Sequence, residues 1–243
     1  MREPPAIQTF GNLADWADAA QDLIVDALDN GRRNETGWAS FAGCGGSTPT
    51  PIYERLSKRR TYEAWQHTFV TLVDERYVPE DHPDSNAALI KRTLLRREAA
   101  GAEFIPLYRP EITVDRAAAL AAHNLAVELD GQGFDAVLLG MGEDGHICSM
   151  FPDSPTLKTL LSPTLPPTVL GVPHGRDGAA PSLERLSINL PYLMSARRVV
   201  LALTGAAKRA VFEREAAGDP RIQPIAALIA ADVPLDVLWT EKA

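Results

Sequence analysis

The chain has 243 residues, 45% of them hydrophobic and 23% charged, which excludes a disordered chain, a collagen-like repeat and a small disulfide scaffold. Its net charge is −8, so its overall field repels nucleic acid and anionic lipid, and any anionic ligand needs a locally basic pocket. Two cysteines in no metal-ligand spacing, no leader-like apolar run over residues 1–30 and nothing near the ~20 apolar residues of a membrane span lead us to expect a cytoplasmic protein.

The first predicted element is an amphipathic helix over 13–28, where Leu13, Trp16, Ala20, Leu23, Ile24 and Leu28 recur at helical spacing. Short apolar runs follow at 38–42, 69–73, 136–139, 199–203 and 235–239, each of strand length and most of them ended by Gly or a polar residue. Between them, 50–56, 85–95, 114–129 and 206–215 carry helical periodicity. The Pro- and Gly-rich stretch 162–182 reads as a long loop within one domain. Continuously apolar strands alternating with helices predict a Rossmann-like α/β fold: a parallel sheet flanked by helices on both faces, a single domain spanning 1–243.

In such folds ligands bind beyond the carboxyl ends of the strands. Four polar, Gly-rich junctions follow four of the predicted strands, so the topology rule places all of them on one rim. The first, Gly43-Cys44-Gly45-Gly46-Ser47-Thr48-Pro49, offers backbone N–H groups and two hydroxyls ahead of a helix, which is what an anion cradle requires. A capped strand-to-helix turn would read the same way. The second, Asp74-Glu75-Arg76 with Ser85-Asn86 further on, offers a guanidinium for an anion and a carboxylate for proton chemistry, or a plain surface ion pair.

The third, Gly140-Met141-Gly142-Glu143-Asp144-Gly145-His146, fits the dinucleotide pattern G-x-G-x-x-G. That pattern needs a long helix next and an acidic residue about twenty positions on. Pro152 arrives instead, and no Asp or Glu lies between Asp153 and Asp177. The better reading is a loop presenting Asp144 and His146, since an ordinary imidazole takes and returns protons near ~pH 6.5. The fourth, Thr204-Gly205-Ala206-Ala207-Lys208, sets a lysine at a helix start, against the dipole, as it would be if it met an anion there. Solvent could equally take it. Together these groups describe a small phosphorylated substrate handled by acid–base chemistry without a metal.

The motifs GGSTP with Tyr53, DERYVP…DHPDSN, LLGMGEDGHICSMFP and LTGAAK, in this order over residues 45–208, resemble the 6-phosphogluconolactonase family. The resemblance implies a cytoplasmic, cofactor-free hydrolase that converts 6-phospho-D-glucono-1,5-lactone to 6-phosphogluconate in the pentose phosphate pathway. Its fold would be shared with glucosamine-6-phosphate isomerase/deaminase. By position, His146 would be the general base, with Asp144 and Asp74 orienting it or the sugar. Gly45, Gly46, Ser47, Thr48, Arg76 and Lys208 would hold the phosphate. Arg185, preceding Leu186-Ser187, or Arg176 would supply a further basic group. Cys44, Ile147-Cys148 and Asp153 depart from the family's usual residues. The alternatives are an isomerase or deaminase of amino sugar phosphates, or a non-catalytic sugar-phosphate sensor. The expected partner is a small phosphorylated sugar lactone, with neither nucleic acid nor membrane.

Overall fold

The computed structural model describes residues 3–33, 35–60, 62, 64–111, 113–175 and 180–241. In chain order the elements are β1 (Ile7–Phe10), α1 (Leu13–Gly31), β2 (Ala39–Gly43), α2 (Thr50–Leu56), β3 (Thr68–Leu72), β4 (Asp74–Arg76) and α3 (Asn86–Thr93). After these come β5 (Glu103–Phe104), α4 (Val114–Glu128), β6 (Ala136–Leu139), α5 (Leu157–Leu160), β7 (Val169–Val172) and β8 (Arg185–Ile188). The chain ends with α6 (Leu190–Met194), β9 (Arg198–Thr204), α7 (Ala206–Ala216), α8 (Pro224–Ala230) and β10 (Leu235–Thr240).

A seven-stranded sheet in the order β1-β10-β9-β6-β2-β3-β5 forms the centre, and its pairings are parallel. Every residue of β2 and β6 is buried, as strands covered by helices on both faces require. Helix α1 packs against β2, β6, β9 and β10 through Trp16, Ala20, Ile24 and Leu28. Asn12 starts it by accepting the Asp15 backbone N–H. This is the Rossmann-like α/β architecture that the sequence predicts.

From β2 the chain works outward through β3 to β5, and from β6 it works the other way through β9 to β10. The strand order therefore reverses between β2 and β6. The loops after these two strands diverge and leave a crevice, the place where open α/β sheets bind ligands.

The structure departs from expectation in several places, beginning with β1 and β5, unpredicted strands at the two edges of the sheet, and the short helices α5, α6 and α8. The stretch 162–182 is not all loop, because β7 lies within it and pairs antiparallel with β8. Strands β4, β8 and β7 form a separate three-stranded antiparallel sheet. Strands of three or four residues, flanked by Pro and Gly, carry too little periodicity to be seen, and their hydrogen-bond partners are remote in sequence. This small sheet delivers Asp74, Arg76 and Arg185 to the crevice.

Candidate active site

A cavity of about 240 Å³ opens at the crevice. It is lined by Gly45, Gly46, Ser47, Thr48, Asp74, Arg76, His146, Arg185 and Lys208, together with Cys44, Asn86, Met141 and Cys148. Of the described residues expected from sequence, only Asp144 does not line it, and Asp144 instead contacts His146. Arg176 lies outside the described residues. Roomier hollows of about 490 and 760 Å³ lie elsewhere, the larger of them lined by Leu161, Leu190, Met194 and Ile222. Neither is lined by a histidine among the described residues, so we take the small polar cavity as the candidate site.

The loop after β6 folds back on itself, with the Gly142 N–H donating to the His146 carbonyl at 2.9 Å. That turn sets Asp144 Oδ1 2.5 Å from His146 Nδ1. The carboxylate fixes the tautomer with the proton on Nδ1 and leaves Nε2, to which no described group is hydrogen-bonded, to take a proton. Partial burial pushes the Asp144 carboxyl up, but its hydrogen bond to His146 and the ring's charge outweigh that and hold it below its ordinary range. Gly142 is required here: a Cβ on it would stand 2.3 Å from the imidazole and 2.4 Å from Asp144 Oδ1. The imidazole also lies against Phe151, with ring centroids 4.3 Å apart.

Asp74, 6% exposed, is the carboxylate that lines the cavity itself. Its Oδ2 accepts from the Ser149 hydroxyl at 2.6 Å, and Asn86 Nδ2 lies 3.4 Å from Oδ1. Arg185 Nη1 stands 3.9 Å from Oδ2. Glu75, fully buried, does not line the cavity. It accepts the backbone N–H groups of Arg76, Asn86 and Ala87 at 2.7–2.8 Å, so it caps α3 and ties that helix to β4. Burial pushes its carboxyl up, against those three donors.

The loop 45–48 lines the cavity, but it lacks the side-chain helix cap that the sequence allowed. Pro49 is the residue at the start of α2 and no side chain caps it, so Ser47 and Thr48 keep their hydroxyls for the cavity. Gly46 has φ +89°, a conformation that lets the loop turn its backbone inward and that other residues rarely adopt. Lys208, in the first turn of α7, reaches across to Thr48 Oγ1 at 3.5 Å. Arg76 is tethered through Nη1 to the Asp84 carbonyl. Arg76, Arg185 and Lys208 face Asp74 alone, which gives the acidic chain a locally positive pocket.

Cys44 and Cys148 line the cavity as thiols. Burial, with the Asp74 charge adding to it, pushes Cys44 up to about 12, and Cys148 is raised for the same reasons. Neither is a nucleophile at neutral pH. Among the described residues, no three His, Cys, Asp or Glu side chains gather as a metal site would need. Among the same residues, no helix is long and apolar enough to cross a membrane.

Sequence reasoning left three supports without a role. Ser149 and Phe151 lie within the His146 motif but carry no pattern that shows what they touch. Glu75 reads as half of a surface ion pair, and only the helix start at Ser85-Asn86 hints at its use.

Residues 12–239 match the pattern of the family described as glucosamine-6-phosphate isomerases/6-phosphogluconolactonase. A 6-phosphogluconolactonase of Caulobacter vibrioides is 38% identical over 98% of both chains. One of Pseudomonas aeruginosa is 37% identical over 96% of this chain and 94% of its own. The crystal structure of a 6-phosphogluconolactonase from Shewanella baltica superposes with a TM-score of 0.87 at 29% identity, covering 99% of each chain.

Proposed function

Because the chain belongs to the glucosamine-6-phosphate isomerase/6-phosphogluconolactonase family, we propose that it hydrolyses 6-phospho-D-glucono-1,5-lactone to 6-phospho-D-gluconate, with His146 as the base and no metal. The observation that carries this reading is the Asp144–His146 pair opening into a cavity whose other wall is basic. The relatives that match over nearly the whole chain are named lactonases, which favours this half of the family over the isomerases.

In this reading Gly45, Gly46, Ser47, Thr48, Arg76 and Lys208 hold the phosphate at one end of the sugar. His146 Nε2 takes a proton from water, whose oxygen adds to the lactone carbonyl. The carbonyl electron pair moves onto oxygen to give a tetrahedral oxyanion. When that pair returns, the bond to the ring oxygen breaks, and the imidazolium gives its proton to the leaving alkoxide. One residue thus serves as base and then as acid. Asp144 holds the ring for both steps and stabilises its charged form. Asp74, fixed by Ser149, accepts from sugar hydroxyls. Residues 1–243 act as one domain on this small substrate in the cytoplasm.

The test is acid release from freshly generated lactone in a pH-stat, corrected for spontaneous opening, alongside ammonia release from glucosamine 6-phosphate. Lactone hydrolysis well above background, with no ammonia, is the expected result. Ammonia release, or binding of sugar phosphates without turnover, would overturn the assignment.

A further inference from the structure

We propose that Arg185 is a catalytic residue at the lactone carbon and not a phosphate ligand: its guanidinium holds the oxyanion that forms when water adds to the carbonyl. This rests on the hydrolase reading above and divides the cavity's cations between the two ends of the substrate.

Strands β4 and β8 run antiparallel with Arg76 directly opposite Arg185. Like charges opposite one another across a ladder are unfavourable, so each is expected to meet an anionic group of its own. Arg185 is also costly by itself. Its side chain is 15% exposed and its Nε, like that of Arg76, is buried with no described group accepting from it, but Arg76 has a carbonyl on Nη1. The adjacent carboxylate does not resolve this. Asp74 Oδ2 already accepts from Ser149 at 2.6 Å, and Arg185 is left 3.9 Å away. Burial draws the Arg185 pKa down, with Asp74 opposing. A buried guanidinium with a donor to spare fits a group whose partner is formed during the reaction.

Placement decides which anion this is. The Arg185 guanidinium lies over the Phe151 ring, 5.7 Å from its centre, and the His146 imidazole lies against the same ring at 4.3 Å. Phe151 thus gathers the base and the arginine at one end. Lys208 reaches Thr48 on the cradle wall, and Arg76 is anchored to the Asp84 carbonyl. The substrate has a permanent dianion at its phosphate and a transient charge at the lactone carbon. Lys208 and Arg76 serve the first, and Arg185 serves the second. The electron pair displaced from the carbonyl as the water oxygen bonds to carbon is the charge that the guanidinium receives. The same pair re-forms the carbonyl when the ring oxygen leaves.

The experiment compares Arg185→Gln, Arg185→Lys and Lys208→Ala in the full chain. For both Arg185 variants kcat falls ~10²–10³-fold, the usual worth of one oxyanion donor, while KM changes little. Lys208→Ala does the reverse, raising KM with kcat largely kept. Calorimetric titration with inorganic phosphate and with 6-phosphogluconate supplies a readout that needs no turnover. Arg185→Gln keeps its phosphate affinity and loses affinity for 6-phosphogluconate, whose carboxylate occupies the place of the oxyanion. Guanidinium ion added to Arg185→Ala restores part of kcat, which a purely structural role would not allow. Weakened phosphate binding with kcat preserved, or unchanged kinetics in folded Arg185→Gln, would overturn the proposal. A wild-type chain that fails to open the lactone overturns the hydrolase reading, and the two titrations still judge which end Arg185 serves.

Discussion

A histidine in a folded protein usually does no more than pack, and His146 does pack, against Phe151. Its other contact separates it from that ordinary case, because the bond from Nδ1 to Asp144 selects the tautomer in which Nε2 is basic. The two roles predict different results for one substitution. His146→Gln keeps size and hydrogen bonding but cannot cycle a proton, so kcat should fall ~10²–10⁴-fold with thermal stability kept. If packing were the whole role, His146→Gln would keep nearly full activity, and His146→Ala would lose stability but not activity per folded molecule. Steady-state kinetics with the spontaneous rate subtracted, together with a melting curve for each variant, decides between them. Asp144 bears on the pH range of this test. Its carboxyl lies below the ordinary range, so the charged partner of the ring persists as pH falls through the usual carboxylate region.

At the scale of elements, the loop after β6 works because a strand delivers it to the crevice and a glycine lets it close. Gly142→Ala should leave β6 and its pairings intact, since the residue lies beyond the strand's end. Its Cβ would nonetheless force Asp144 and His146 apart. The expected outcome is a native circular dichroism spectrum with kcat reduced ~10²-fold or more, comparable to losing the positioned base. A fully active Gly142→Ala would show that the dyad does not depend on this tight turn. The loops were legible in the sequence because continuously apolar runs end abruptly at Gly or Asp, and that change survives in any single sequence. The small antiparallel sheet was not legible, since β7 has four residues and pairs with a strand that begins only at Arg185. The same holds for the supports of the site. A hydroxyl such as that of Ser149 shows its purpose only once folding sets it 2.6 Å from Asp74, seventy-five positions away.

For the molecule as a whole, the buried core contains groups which ionise in alkali. Cys44 and Tyr53 lie buried at the crevice, Tyr62 and Tyr192 within the core. Tyr53 donates to the Cys44 carbonyl at 2.6 Å, and Tyr62 shares a 2.7 Å hydrogen bond with Thr68. Burial pushes Cys44, Tyr62 and Tyr192 up to about 12 and raises Tyr53 as well. In the unfolded chain the same groups lose their protons near ~8.5 for the thiol and ~10 for the phenols. The folded state therefore holds more protons through this window, and stability falls as pH rises. It is fully present below the unfolded values and lost progressively up to the folded ones. The midpoint of urea unfolding should be nearly constant from neutral pH to about 8.5, then fall steeply towards pH 11, where the rising negative charge of an already acidic chain acts in the same direction. Tyr62→Phe removes one of the ionising groups. It should lower stability at pH 7, because Thr68 loses a partner, and make the alkaline slope shallower. An alkaline slope unchanged in Tyr62→Phe would mean that Tyr62 ionises alike in the folded and unfolded states, contrary to its burial.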